Sequence, residues 1–194
     1  MKSRIKKITI IGVLTAMSAI LYLFPTFPIF PAFSWLEIDF ADIPALFASI
    51  LISPAAGAAV VLIRNTVHLT VSSTAMTGEL SNFLISALFV FAAGIFYRLF
   101  AKKNASAGAG IRIKNVVCAL ALGAVCQVIT AMLVNYFIMI PLYSAFINFD
   151  ELGKAYYIFG GVLPFNIIKC TITSAVFVPV VRYAYPTIRR ILAE

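Results

Sequence analysis

Asn166 and Lys169 stand three residues apart inside an apolar stretch, a spacing that puts an amide and an ammonium on one helix face. Together they can hydrogen-bond the edge of a polar heterocycle, or the lysine can hold an anion. The plainer reading is a structural ion pair between Lys169 and Asp42 or Glu79. Asn135 adds a second amide in the preceding apolar stretch, and Glu79 and Asn82 add a carboxylate and an amide at the head of another. Arg64, Asn65 and His68 form a further polar group, which reads as partners for short helices meeting at a break. His68 alone reads as a satisfied core residue.

None of these residues composes a catalytic set. No GxxxxGK[ST] phosphate loop is present, a single histidine excludes an HExxH site, and there is no GxSxG element. The chain is therefore not expected to be an enzyme or to use ATP itself. Cys118, Cys126 and Cys170 lie in apolar runs without metal-ligand spacing and read as small fillers, with no disulfide and no metal site.

The elements that must hold these side chains follow from composition. Of 194 residues, 62% are apolar and 11% charged, with a mean hydropathy of +1.03. Soluble domains are about 45–50% apolar and about 25% charged. The long, continuous apolar runs predict an all-α integral membrane protein rather than a barrel, whose strands alternate. In a membrane protein the formal net charge of +8 reports topology rather than nucleic-acid binding. The first apolar stretch follows Lys2, Arg4, Lys6 and Lys7 like a signal peptide. Pro25, Thr26, Phe27 and Pro28 come after it instead of small cleavage-site residues, so it reads as a retained helix.

Five stretches are apolar enough to span: Ile8 to Phe24, Ile43 to Val71, Leu80 to Phe100, Val116 to Pro141 and Tyr156 to Val181. The second is interrupted by Ser53, Pro54 and Gly57, a helix-breaking cluster. Basic clusters precede the first stretch, follow the third (Arg98, Lys102, Lys103, Arg112, Lys114) and follow the last (Arg182, Arg189, Arg190), and all belong inside. An even number of crossings must separate the first two clusters, so the second stretch crosses twice or dips in and returns. The expectation is a single membrane domain, 1–194, of six helices at about 5–24, 41–53, 56–72, 79–100, 114–141 and 156–184. Helices two and three are short, and both termini are cytoplasmic. The outer loops then carry Glu37, Asp39, Glu79, Asp150 and Glu151 against Lys154. Asn104 to Gly110 reads as a flexible inner linker.

Run in these directions, the helices put the polar residues in the outer half. Asn166 and Lys169 lie roughly 15 to 20 Å below the outer end of helix six, and the inner halves of helices one, four and six are nearly all apolar. The pattern describes a cavity open outward and sealed below. Pro25, Pro28 and Pro31, interleaved with Phe24, Phe27, Phe30, Phe33 and Trp35, suit either a stiff polyproline-like strut over the cavity mouth or an interfacial aromatic belt. Gly12, Ala16 and Ala19 form a small-residue stripe that permits close helix contact, within the chain or with another protein.

The run Glu37-Ile38-Asp39-Phe40-Ala41-Asp42-Ile43-Pro44, then Pro54-Ala55-Ala56-Gly57 and Arg64-Asn65, resembles the riboflavin-specific substrate-binding (S) components of energy-coupling factor (ECF) transporters. Gly78-Glu79-Leu80-Ser81-Asn82-Phe83, Asn135-Tyr136-Phe137 and Leu163-Pro164-Phe165-Asn166-Ile167-Ile168-Lys169 follow in the family's order, over nearly the whole chain. Arg64 stands where a lysine is usual, and Ser53 where a glycine precedes the proline. The resemblance implies a six-helix protein of the bacterial plasma membrane that captures riboflavin as transported substrate, with no cofactor. It implies a transmembrane T component and two cytoplasmic ATPases as partners. It also implies that Asn135, Asn166 and Lys169 hydrogen-bond the flavin, that Asp42 lines the same site with Glu79 and Asn82 nearby, and that Gly12, Ala16 and Ala19 contact the T component. Rival readings are an S component for another vitamin such as thiamine, or for flavin mononucleotide, and a stand-alone small channel or structural membrane protein.

Overall fold

The computed structural model describes residues 2–24, 26–72, 76–103, 111–144 and 153–193. Pro25, the Asn104 to Gly110 linker, Asp150 and Glu151 lie outside the described residues. Within them the chain forms six helical segments. α1 is Lys2–Leu23; α2 is Asp42–Phe47, continued by a π-helical turn Ala48–Ile52; α3 is Pro54–His68; α4 is Thr77–Lys103. α5 is Ile113–Val134, extended through a π-helical turn Asn135–Met139 and Ile140–Tyr143. α6 opens with a π-helical stretch Tyr156–Val162 and runs on as Leu163–Ala193. α1, α4, α5 and α6 are long and apolar enough to cross a membrane, whereas α2 and α3 are short.

The break between α2 and α3 falls where Ser53 and Pro54 demand it. Ser53 is extended (φ −166°, ψ 152°), its hydroxyl accepts the Ala56 N–H at 3.0 Å, and Pro54 supplies the pre-set first helical residue. Arg98, near the inner end of α4, donates from Nη2 to the Ile52 carbonyl at 2.6 Å, so the break reaches the inner side before α3 turns back. Gly57 lets α3 approach: a Cβ there would meet Ser49 Cβ and Val90 Cγ1 at 2.5 Å. Ser49, in turn, donates to the Val90 carbonyl at 2.6 Å, tying α2 to α4.

Prolines account for the two late π-helical turns. Pro141 and Pro164 have no N–H to return to the preceding turn and crowd its carbonyl. The turns ahead of them, Asn135–Met139 and Tyr156–Val162, are correspondingly widened. The core divides in two. Leu46, Phe47, Val60, Phe89 and Phe177 fill the inner half, with Phe47 and Phe177 edge to face at 5.0 Å. Phe33, Ile85, Val134, Tyr157 and Val162 form the outer cluster.

The Pro/Phe segment after α1 is not a polyproline strut. Phe27–Pro28 (β1) pairs antiparallel with Glu37–Ile38 (β2), Phe27 opposite Ile38, with a 3₁₀ turn Pro31–Phe33 between them. Phe33 is buried against Tyr157 at 5.6 Å, while Phe24 and Phe27 are exposed. The ladder bonds and the insertion of Phe33 into the core outweigh the local preference of the prolines for extended backbone.

Candidate functional site

A cavity of about 310 Å³ opens at the end of the bundle where α1, α3 and α5 finish and α4 and α6 begin. The basic residues Lys6, Lys7, Arg98, Lys102, Lys114 and Arg182 occupy the opposite ends of these helices, so the cavity faces outward by the positive-inside rule. The hairpin segment contributes Trp35, Glu37 and Asp39 to its wall, and the inner aromatic core closes it below.

Two buried ion pairs stand side by side at the cavity. Lys169 Nζ donates to Asp39 Oδ2 at 2.7 Å, and both side chains are under a tenth exposed. Asp39 Oδ1 accepts the Ala41 N–H at 2.9 Å, an Asx turn that holds the carboxylate toward α6. Burial by itself would raise the Asp39 carboxyl, but the Lys169 ammonium and the Arg64 guanidinium outweigh it and hold it below the usual carboxylate value. One layer behind, Arg64 Nη2 donates to Asp42 Oδ1 at 2.7 Å and to Asn82 Oδ1 at 3.2 Å. Ser86 donates to Asp42 Oδ2 at 3.4 Å, and the Arg64 guanidinium lies 5.4 Å from the centre of the Tyr22 ring. His68 Nδ1 is 2.8 Å from Glu79 Oε1 and its ring stacks on Tyr22 at 4.2 Å, so this histidine is a partnered member of the wall.

The deeper wall is made of amides. Asn135 donates from Nδ2 to the Ala131 carbonyl at 2.8 Å, and its Oδ1 accepts from the Tyr157 hydroxyl at 2.7 Å. Asn166 donates from Nδ2 to the Val162 carbonyl at 2.9 Å, and its Oδ1 accepts from Gln127 Nε2 at 3.2 Å. Each asparagine is thus anchored one turn back on its own helix, Asn135 at the start of one π-helical turn and Asn166 onto the last residue of the other. With Trp35, Tyr157 and Phe165 beside them, these amides suit a flat ring with a polar edge. Among the described residues no group of acidic, histidine or cysteine side chains could hold a metal ion.

Asn135, Asn166, Lys169, Glu79 and Asn82 all line the cavity. Asp42 does not: it is turned away to neutralise Arg64, and Asp39, three residues earlier, takes the place at the wall. Lys169 is paired, with Asp39 rather than with Asp42 or Glu79. Gln127 and Tyr157 line the cavity as well, outside the polar groups that residue spacing marks. A lone glutamine in the middle of the apolar run 116–141 was the available signal for the first. Nothing in the sequence singles out Tyr157 from its neighbour Tyr156. Gly12 and Ala16 are exposed on α1, and a Cβ on Gly12 would meet nothing within 4 Å, so the small-residue stripe faces away from this chain's own helices.

Residues 6–181 match the family model described as ECF transporter, substrate-specific component. The riboflavin transporter RibU of Staphylococcus aureus is 30% identical over 159 residues, which are 81% of this chain and 79% of that protein. The riboflavin transporter FmnP of Bacillus subtilis is 30% identical over 180 residues, 90% of this chain and 89% of that one. Among solved structures, the S component of a bacterial ECF transporter superposes with a TM-score of 0.78 at 28% identity, over 95% of this chain and 98% of the other.

Proposed function

The chain belongs to the substrate-specific (S) components of ECF transporters, and from that premise we propose that it captures riboflavin outside the cell for uptake. It is a multi-pass protein of the bacterial plasma membrane and a transport component rather than an enzyme. An outward cavity of about 310 Å³, with amides and Lys169 deep among aromatic walls, supports riboflavin as the cargo. That volume is at the small end of the roughly 300–1,000 Å³ of ligand pockets, so it fits one flat molecule closely. Asn135, Asn166 and Lys169 are the proposed flavin contacts, with Glu79 and Asn82 nearer the mouth; Asp42 serves them indirectly by neutralising Arg64.

Three carboxylates, Glu37, Asp39 and Glu79, line the cavity, and Lys169 is already paired. That balance favours the uncharged vitamin over flavin mononucleotide, whose phosphate needs unpaired cations. The family works with a transmembrane T component and ATPases. Here the T component is proposed to pack on α1 along Gly12, Ala16 and Ala19, where small side chains allow close approach, and two cytoplasmic ATPases supply the energy.

Titration of the detergent-purified protein with riboflavin tests the cargo. Quenching of flavin fluorescence at stoichiometric protein, unaffected by excess thiamine, is the expected result. Unchanged flavin fluorescence would overturn the riboflavin assignment. For the partners, Gly12→Leu is expected to abolish co-purification of the T component and ATPases while leaving riboflavin binding intact.

A further inference from the structure

Gln127 on α5 lines the cavity and is 1% exposed, yet its carbonyl oxygen Oε1 has no hydrogen-bond partner among the described residues. The orientation of this amide is set by its neighbours. Asn166 must turn Nδ2 to the Val162 carbonyl, which can only accept, so Asn166 Oδ1 faces Gln127 and accepts from its Nε2. Gln127 thus gives one of its two Nε2 hydrogens and leaves its acceptor wholly unused. In the other amides of the wall the oxygen is partnered, Asn135 Oδ1 by Tyr157 and Asn166 Oδ1 by Gln127, and each NH₂ likewise keeps one hydrogen. Lys169 keeps two hydrogens beyond the one given to Asp39.

We propose that Gln127 is a specificity-determining residue of this cavity, its side-chain carbonyl accepting a hydrogen bond from the imide N–H of the bound flavin. This rests on the riboflavin reading above. The pyrimidine edge of an isoalloxazine presents carbonyl, N–H, carbonyl, which is acceptor, donor, acceptor. Asn135, Asn166 and Lys169 keep spare N–H donors, and of the three wall amides only Gln127 has an oxygen with no partner, so donors flanking one open acceptor match that edge. A buried acceptor left without a donor is costly, and a ligand that brings an N–H removes the cost. A ring of the same shape without that hydrogen does not, so the discrimination comes from the imide proton itself.

The test compares riboflavin with riboflavin methylated at the imide nitrogen, by fluorescence titration of the wild type and of Gln127→Met. The wild type should prefer riboflavin by at least about 10-fold, the scale of one buried polar group left unmatched. In Gln127→Met, near in volume and with only a weak thioether acceptor in place of the carbonyl, the preference should fall toward unity. A wild type that binds the two flavins alike overturns the inference without any variant. Equal weakening of both flavins in Gln127→Met, with the preference retained, also overturns it and leaves Gln127 as a brace for Asn166. A wild type that binds neither flavin refutes the riboflavin reading itself, a result distinct from both.

Discussion

Replacing Asp39 by asparagine leaves the shape of the outer wall nearly unchanged and removes one charge from a buried pair. The Lys169–Asp39 contact is 2.7 Å with side-chain exposures of 6% and 3%, so the ammonium left behind has little water to turn to. Removing one partner of such a pair costs about 3–5 kcal/mol. Asparagine still offers one acceptor oxygen, which puts the expected loss near the lower bound, about 3 kcal/mol. For a chain of this size each kcal/mol moves the melting temperature by about 2–4 °C, so the apparent midpoint should fall by roughly 6–12 °C. Trp35, the single tryptophan, lies 6.3 Å from the Tyr157 ring in this wall, and its fluorescence in detergent reports the transition. Asp39→Asn combined with Lys169→Met should recover most of the loss, because an apolar replacement of the lysine leaves no stranded charge. A shift under about 3 °C would put the pair in the range of exposed ion pairs. That result, or a double variant less stable than the single, would refute the burial argument.

Lys169→Ala and Asn135→Ala should each weaken riboflavin binding by about 10-fold or more while the protein stays monodisperse, since each removes a donor from the proposed contact set; unchanged affinity in both would overturn those contacts. Arg64→Lys should be tolerated as a charge but lose the fork that reaches Asp42, Ser18 and Asn82 together. A melting temperature lower by a few degrees, against a much larger drop for Arg64→Met, checks it. Gly57→Ala should destabilise by about 1–3 kcal/mol, because the new methyl meets Ala45 O at 2.8 Å as well as two side chains, and thermal unfolding measures the loss. Asp39, held below its ordinary value, contributes stability that is fully present above its unfolded value of about 3.9 and is lost as pH falls through the lower folded one. Between pH 7 and about 5 the melting temperature of the wild type and of Asp39→Asn should therefore differ by a constant amount, and the gap should close only below about pH 4.

What the sequence alone reveals is what local chemistry decides. Ser53-Pro54 breaks a helix in any setting, and the basic clusters at Lys6, Arg98 and Arg182 orient the helices whatever their packing. The i, i+3 spacing of Asn166 and Lys169 put them on one face, and both line the cavity. What could not be read depends on contacts between distant segments. Asp39 and Asp42 look equivalent in Asp-Phe-Ala-Asp, and only the folded chain divides their roles, bringing Asp39, just past β2, to Lys169 on α6 and Asp42, at the head of α2, to Arg64 on α3. Of the two readings of the segment after α1, strut or aromatic belt, the polyproline strut fails for the same reason. Its prolines specify a local backbone, but the position of Phe33 is set by Tyr157, more than a hundred residues away.

The division between Asp39 and Asp42 also explains how a cavity with so many charges can take an uncharged aromatic ligand. Arg64, if unpaired, would be the strongest anion attractant in the outer half, and it is spent on Asp42 and Asn82 behind the wall. Lys169 reaches the cavity but arrives neutralised by Asp39, so it offers directed N–H donors with little net field. One pair lies behind the wall and the other in it, so neither cation presents a net positive charge to the cavity, and the amides supply direction without charge. A site built to hold an anion would leave one of these cations uncompensated. Arg64 and Lys169 are both compensated within 2.7 Å, and this geometry, more than the count of polar residues, favours the uncharged vitamin over its phosphate.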